Sequence, residues 1–139
     1  MGRPKRRLRI LLVDDNESIR DALSDLLTDE GHAVVAVAGA IEALGNLGAA
    51  PDLIITDLMM PGIDGAAFLA TVRERPLWKE VPALLITTCR RSEAEGALLA
   101  VGVAAAVLQK PFSFEELLHA IDECTTPRRG GRRNRSRPR

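Results

Sequence analysis

The sequence predicts an α/β fold, a five-stranded parallel sheet doubly wound with helices on both faces. Short aliphatic runs such as Ile10–Val13, Leu53–Thr56 and Ala83–Thr87 alternate with segments whose apolar residues recur at helical spacing. Five successive βα units of this kind imply parallel strands joined by crossover helices. The runs also lack the apolar–polar alternation of a half-exposed strand, so both of their faces should be covered.

The first strand spans Leu8–Val13 and stops at Asp14. Behind it Ile19, Ala22, Leu23, Leu26 and Leu27 form one apolar stripe of an amphipathic helix, and Gly31 follows its last turn. Ala33–Val37 is the second strand, and a weaker helix around Ile41–Leu47 follows without a side-chain cap. Pro51 precedes the third strand, Leu53–Thr56, which ends at Asp57. The stretch PGIDG at 61–65 is a loop, with Pro61 and Gly62 suited to the middle of a tight turn. The next helix turns Phe68, Leu69 and Val72 inward. Pro82 opens the fourth strand, Ala83–Thr87, and an Ala/Leu-rich helix covers Glu93–Val101. The fifth strand, Ala105–Gln109, stops at Lys110-Pro111, and the last helix opens on a capping box, Ser113 with Glu116, ahead of Leu117, Leu118 and Ile121.

A chain of 139 residues, 46% hydrophobic, suffices for one core, and with 3% aromatic residues and no Tyr that core must be aliphatic. The formal charge of zero hides an asymmetry. Five of the 19 cations lie in the first nine residues and seven more after Thr126, so the stretch from Ile10 to Thr126 sets seven cations against all 19 acids, a net charge of −12. The expected organisation is a basic arm over 1–7, a folded body over 8–124 and a disordered Arg-rich tail over 125–139. Such a tail can touch nucleic acid or anionic lipid, or the acidic body itself. With no aromatic or helical pattern beside it, a solvated tail without a partner is the plainer reading.

The basic N-terminus lacks the apolar stretch of a secretory signal. The longest apolar stretch, Gly96–Leu108, is too short to span a bilayer and is broken by Gly102. Cys89 and Cys124 form no framework or metal spacing, and His32 and His119 stand alone. Buried thiols in a reducing cytoplasm fit this composition.

The informative polar residues end strands. Asp14 and Asp15 follow the first, Asp57 the third, Thr87 ends the fourth and Lys110 the fifth. Right-handed crossovers put the carboxyl ends of all strands on one edge, where such sheets bind ligands. Any one of these residues could be ordinary loop chemistry. Together, three carboxylates at one edge need a cation, and a hard divalent ion such as Mg²⁺ takes carboxylates, waters and phosphate oxygens.

The blocks LLVDDNESIR, PDLIITDLMMPGIDG, PALLITT and QKPFSFEEL, in this order, make the chain resemble the receiver domains of bacterial two-component response regulators, over roughly Leu8 to Glu123. The resemblance implies a flavodoxin-like (βα)5 fold with strand order 2-1-3-4-5. It implies that Asp57 accepts a phosphoryl group from a sensor histidine kinase or phosphotransfer protein, forming an acyl phosphate. Asp15, Asp57 and the Met59 backbone carbonyl would hold Mg²⁺, with Asp14 helping through water. Lys110 would pair with a phosphoryl oxygen, Thr87 would donate a hydrogen bond to it, and the Lys110–Pro111 bond would be cis. The output would be a conformational change or phosphorelay to an unknown downstream protein. The domain is not an enzyme in the ordinary sense, although it assists its own phosphorylation and dephosphorylation.

Two features depart from the family pattern. Receivers usually carry Tyr or Phe three residues before the Lys-Pro pair, as a switch ring; here that position is Val107, and the preceding segment is about one residue longer than usual. After Thr87, where the family tends to carry a small Ala, stands Thr88; that position and the one two beyond the acceptor flank the path of attacking water, and bulky, apolar Met59 at the latter implies slow self-hydrolysis. Other functions fit less well. A phosphohydrolase with an Asp nucleophile needs a second Asp two positions on, where Met59 stands. A flavin protein of similar topology needs a Ser/Thr/Gly-rich phosphate loop where this chain has DDNES. A receiver-like binding module that no longer uses phosphorylation is the alternative that Val107 keeps open.

Overall fold

The computed structural model describes residues 6–126. Strands β1 (Arg9–Val13), β2 (Ala33–Val37), β3 (Leu53–Asp57), β4 (Ala83–Thr87) and β5 (Ala106–Gln109) form one parallel sheet in the order β2-β1-β3-β4-β5. Between and after them run α1 (Glu17–Asp29), α2 (Ala40–Leu44), α3 (Gly65–Val72), α4 (Arg91–Val101) and α5 (Phe114–Thr125). This is the predicted doubly wound fold. The register aligns Val13 with Thr56, Asp57 with Ile86 and Thr87 with Gln109, so the carboxyl ends of β1, β3, β4 and β5 finish side by side.

The period of two along each strand divides the core. Ile10 and Leu12 of β1, Leu53 and Ile55 of β3, and Leu84 and Ile86 of β4 pack with Leu23 and Leu27 of α1 and Leu117 and Ile121 of α5. Leu11, Val13, Ile54 and Leu85 point to the other face, with Phe68, Leu69 and Val72 of α3 and Ala94 and Leu98 of α4. Every residue of β3 and β4 is buried, as their unbroken apolar runs require.

Local chemistry starts and stops the helices. Asn16 caps α1 through a bond from the Ile19 N–H (2.9 Å), and Asp64 caps α3 through the Ala67 N–H (2.8 Å). The capping box on α5 forms as expected, with the Glu116 N–H on Ser113 Oγ (3.0 Å) and the Ser113 N–H on Glu116 Oε1 (2.7 Å). Gly102 ends α4 in the left-handed region, at φ 73°.

Several boundaries differ from the expectation. α2 stops at Leu44 instead of reaching Leu47, because Gly45 caps it and the following GNLGAAP stretch offers poor helix formers. α4 begins at Arg91 rather than Glu93, since the Glu93 carboxylate turns back to accept the Arg90 N–H (3.1 Å). A short 3₁₀ turn, Pro76–Trp78, buries Trp78 and was not anticipated. α5 runs through Thr125, one residue into the expected tail; from residue 127 onward that tail lies outside the described residues, as do residues 1–5 of the basic arm. No helix among the described residues is long and apolar enough to cross a membrane.

One close approach ties this packing to the carboxyl edge. The Gly65 N–H donates to the Leu58 carbonyl (2.8 Å), and α3 begins so near β3 that a Cβ at Gly65 would overlap the Asp57 carbonyl oxygen and lie 3.0 Å from Leu58 Cα. These are backbone atoms that cannot swing aside. Gly65→Ala is therefore expected to destabilise the fold by about 1–3 kcal/mol, the range for overpacking, measured by urea denaturation. An unchanged midpoint would contradict this account of the α3 start.

Candidate functional site

The site begins with backbone bonds that lock strand ends. The Asp14 N–H donates to the Val37 carbonyl (3.1 Å), the Leu58 N–H to Ile86 (3.1 Å) and the Lys110 N–H to Thr87 (2.7 Å). The residues carrying Asp14, Asp57, Thr87 and Lys110 are thereby held by the sheet itself. Carboxylate oxygens of Asp14, Asp15 and Asp57 lie within 4.8 Å of one another. Lys110 Nζ sits between two of them, 3.4 Å from Asp14 Oδ2 and 3.2 Å from Asp57 Oδ2.

The three acids have different surroundings. Asp14 is fully buried; its Oδ1 accepts the Asn16 N–H (2.9 Å) and its Oδ2 faces Lys110. Asp57 is buried too, with Oδ1 accepting the Met59 N–H (3.2 Å) and Oδ2 facing Lys110. Asp15 is exposed and has no hydrogen bond or ion pair among the described residues. Burial pushes the Asp57 carboxyl above its ordinary range; the Lys110 charge and its hydrogen bond pull it back only in part, and the neighbouring Asp14 adds to the rise.

If all three acids ionise, one ammonium leaves two negative charges uncompensated. An all-oxygen donor set with that excess suits a hard divalent cation, so the residues fit Mg²⁺. Met59 is 57% exposed at the rim, directly after the buried Leu58.

Thr87 is fully buried and its Oγ1 accepts the Cys89 N–H (3.0 Å), which ties the hydroxyl to the loop that opens α4. Val107 is aligned with Leu85 and buried in the layer that contains Ala94 and Leu98. The Lys110–Pro111 peptide is cis.

Two further residues, Asn16 and Arg20, support Asp14 without being among the residues the sequence singles out. Asn16 serves Asp14 and caps α1 at once; Asn three residues before the first apolar helix position was a readable sign of that cap. Arg20 reaches back from α1 to donate to the Asp14 carbonyl (2.9 Å), a contact that nothing local in sequence announces.

Comparison with known proteins accords with this geometry. Residues 10–122 match the response regulator receiver domain family. A 14.6 kDa uncharacterised protein of Leptolyngbya boryana is 36% identical over 118 residues, covering 84% of this chain and 89% of that one. Two longer curated relatives are matched over only 24% and 43% of their lengths. The structure of chemotaxis response regulator CheY4 of Vibrio cholerae superposes with a TM-score of 0.78 at 36% identity, covering 86% of this chain and 99% of that one. The receiver domain of sensor histidine kinase PA1611 from Pseudomonas aeruginosa, solved with a magnesium ion in its active-site cleft, gives 0.77 at 25% identity, covering 88% and 100%. On its sequence, its strand order and these likenesses, the chain belongs to the response regulator receiver family.

Proposed function

We propose that this receiver accepts a phosphoryl group on Asp57 from phosphohistidine on a sensor histidine kinase or phosphotransfer protein. The observation that carries the reading is Lys110 Nζ within 3.4 Å of both Asp14 and Asp57, inside a cluster of three carboxylates. An Asp57 oxygen attacks phosphorus, an O–P bond forms and the N–P bond breaks. The electron pair returns to the imidazole nitrogen, and the ring leaves neutral when its other nitrogen carries the proton.

Lys110 is placed to follow a phosphoryl oxygen as a compact point charge, exchanging part of its hold on the carboxylates for the incoming group. Asp15, Asp57 and the Met59 carbonyl would hold Mg²⁺, with Asp14 acting through water, as the magnesium in the PA1611 receiver encourages. When bound, the ion would supply charge compensation on the transferring oxygens. The Thr87 hydroxyl accepts the Cys89 N–H and keeps its own O–H free to donate to a phosphoryl oxygen, so any shift of the hydroxyl toward that oxygen pulls on the β4–α4 loop through this bond. Val107 supplies no ring to report that movement, so the signal reaches a downstream protein through the loop or passes on by phosphorelay. The same valine favours a second reading, a receiver-like module that binds without phosphorylation.

Intact mass after incubation with acetyl phosphate separates the two readings. One added phosphoryl group that requires both Mg²⁺ and Asp57, and is absent in Asp57→Ala, is the expected result. No addition to folded protein under any condition would select the second reading. Met59→Asn adds an amide that can orient water beside Asp57, so the phosphorylated variant should lose its group faster than wild type; equal half-lives would contradict a role for Met59.

The raised Asp57 carboxyl gives a prediction for the metal-free protein. Its folded state holds the proton more tightly than the unfolded chain does. The stability linked to that proton is fully present below the ordinary carboxylate pKa and is lost as pH rises through the raised value. Asp57→Asn should therefore raise Tm at neutral pH, an advantage that shrinks as pH falls into the ordinary carboxylate range. Parallel Tm–pH curves would contradict it.

A further inference from the structure

β2 is an outer strand of the sheet, and its free edge is unguarded among the described residues. Its sequence, AVVAV, carries no charge, proline or glycine, the devices by which natural edges avoid pairing. The uncharged run continues from Ala33 to Ile41. The Ala33 N–H donates to the Leu8 carbonyl (2.9 Å) and the Val37 carbonyl accepts the Asp14 N–H (3.1 Å), so the odd-numbered residues of β2 face β1. Val34 and Ala36 therefore direct their N–H and C=O groups outward, and no hydrogen bond reaches those groups among the described residues. Ala38 continues the pattern, its N–H donating to Glu42 Oε1 (3.0 Å) rather than to β1. Val35 is 63% exposed. Beside it, where Gly45 ends α2 early, lies a groove of about 420 Å³ formed by Leu11, Val35, Leu47, Pro51 and Trp78.

We propose that this edge is a pairing surface for a second copy of the chain, joined antiparallel about a two-fold axis at Val35. The strand is complementary to itself in that register. Val34 stands opposite Ala36 of the second copy, where the two residues exchange both main-chain bonds, and the axis repeats the exchange at Ala36. Val35 meets its own copy as a close pair without main-chain bonds, which covers the exposed valine. Val37 of the second copy comes opposite Ala33, at the groove. Charge favours the same register. Two bodies of net charge −12 repel over most of their surface, whereas residues 33–37 set no charge against another.

A five-residue edge covers much less than the roughly 800 Å² per partner of a standard interface, so the pairing belongs to the weak, concentration-dependent class. Closing the two β2 edges on each other leaves no β2 edge exposed, and association stops at two chains. The proposal does not rest on phosphoryl transfer. Antiparallel pairing points the two carboxyl edges in opposite directions, so both acidic clusters stay open to a phosphoryl donor.

Sedimentation velocity of the full chain from about 10 μM to about 1 mM tests it. The expected result is a rise from one chain to two. Salt between about 0.05 and 0.5 M should not weaken that pairing, because the paired residues carry no charge. Over the same concentrations the N–H groups of Val34 and Ala36 should gain protection from hydrogen exchange. Val35→Lys, at an exposed position, sets like charges opposite each other and should weaken pairing at least about tenfold. Ala36→Pro removes an outward donor that β1 does not use and should weaken it as far, with a cooperative thermal melt retained. Leu99→Lys, the same kind of change at an 82% exposed position on α4, should leave pairing intact. A chain that stays single at about 1 mM would overturn the proposal. Pairing that survives both β2 substitutions, pairing lost in Leu99→Lys, or growth beyond two chains would do the same. Association that salt dissolves would also overturn it, because ion pairs between basic and acidic segments would then hold the copies together.

Discussion

Asp14 and Asp57, both buried, share one ammonium, and the rest of the fold is arranged to make that sharing possible. Two carboxylates at such a distance repel, and burial strengthens the repulsion because water no longer screens it. The positions survive because they are held by main-chain bonds at strand ends rather than by flexible side-chain contacts. The exposed Asp15 completes the cluster from the solvent side. A site with excess negative charge and one movable cation is a poor resting place for a lone anion and a good one for a phosphoryl group that arrives with a divalent ion.

Rigidity at that edge comes from the apolar layers below it. β3 and β4 are covered on both faces, so neither can shift without opening two aliphatic layers at once. α3 adds a second clamp through Gly65, whose missing Cβ lets the helix start against the Asp57 carbonyl. The Thr87 side chain, whose Oγ1 accepts the Cys89 N–H, links the site to the start of α4. Val107 is buried in the same apolar layer as Ala94 and Leu98.

Most of the architecture could be read from residues because its determinants are local. Unbroken aliphatic runs mark buried strands, period-3.6 stripes mark α1 and α5, and Ser113 with Glu116 marks a helix start. The cluster could be read as well, since parallel topology turns strand-end positions into neighbours. Two features depend on tertiary contact: Arg20 reaching the Asp14 carbonyl and the meeting of Arg6 with Thr125 join positions that no local pattern relates. α2 is shorter than the apolar spacing through Leu47 suggests, because Gly45 and Gly48 weaken the helix beyond Leu44.

The claim that three carboxylates outbalance one ammonium and so form a divalent-ion site is tested most directly by calorimetric titration of Mg²⁺ into the folded chain and into Asp15→Asn. The account predicts one ion bound per chain, with binding lost or sharply weakened in the variant, because Asp15 has no hydrogen bond or ion pair to release among the described residues. Absence of binding by the wild type, or equal binding by both proteins, would contradict it.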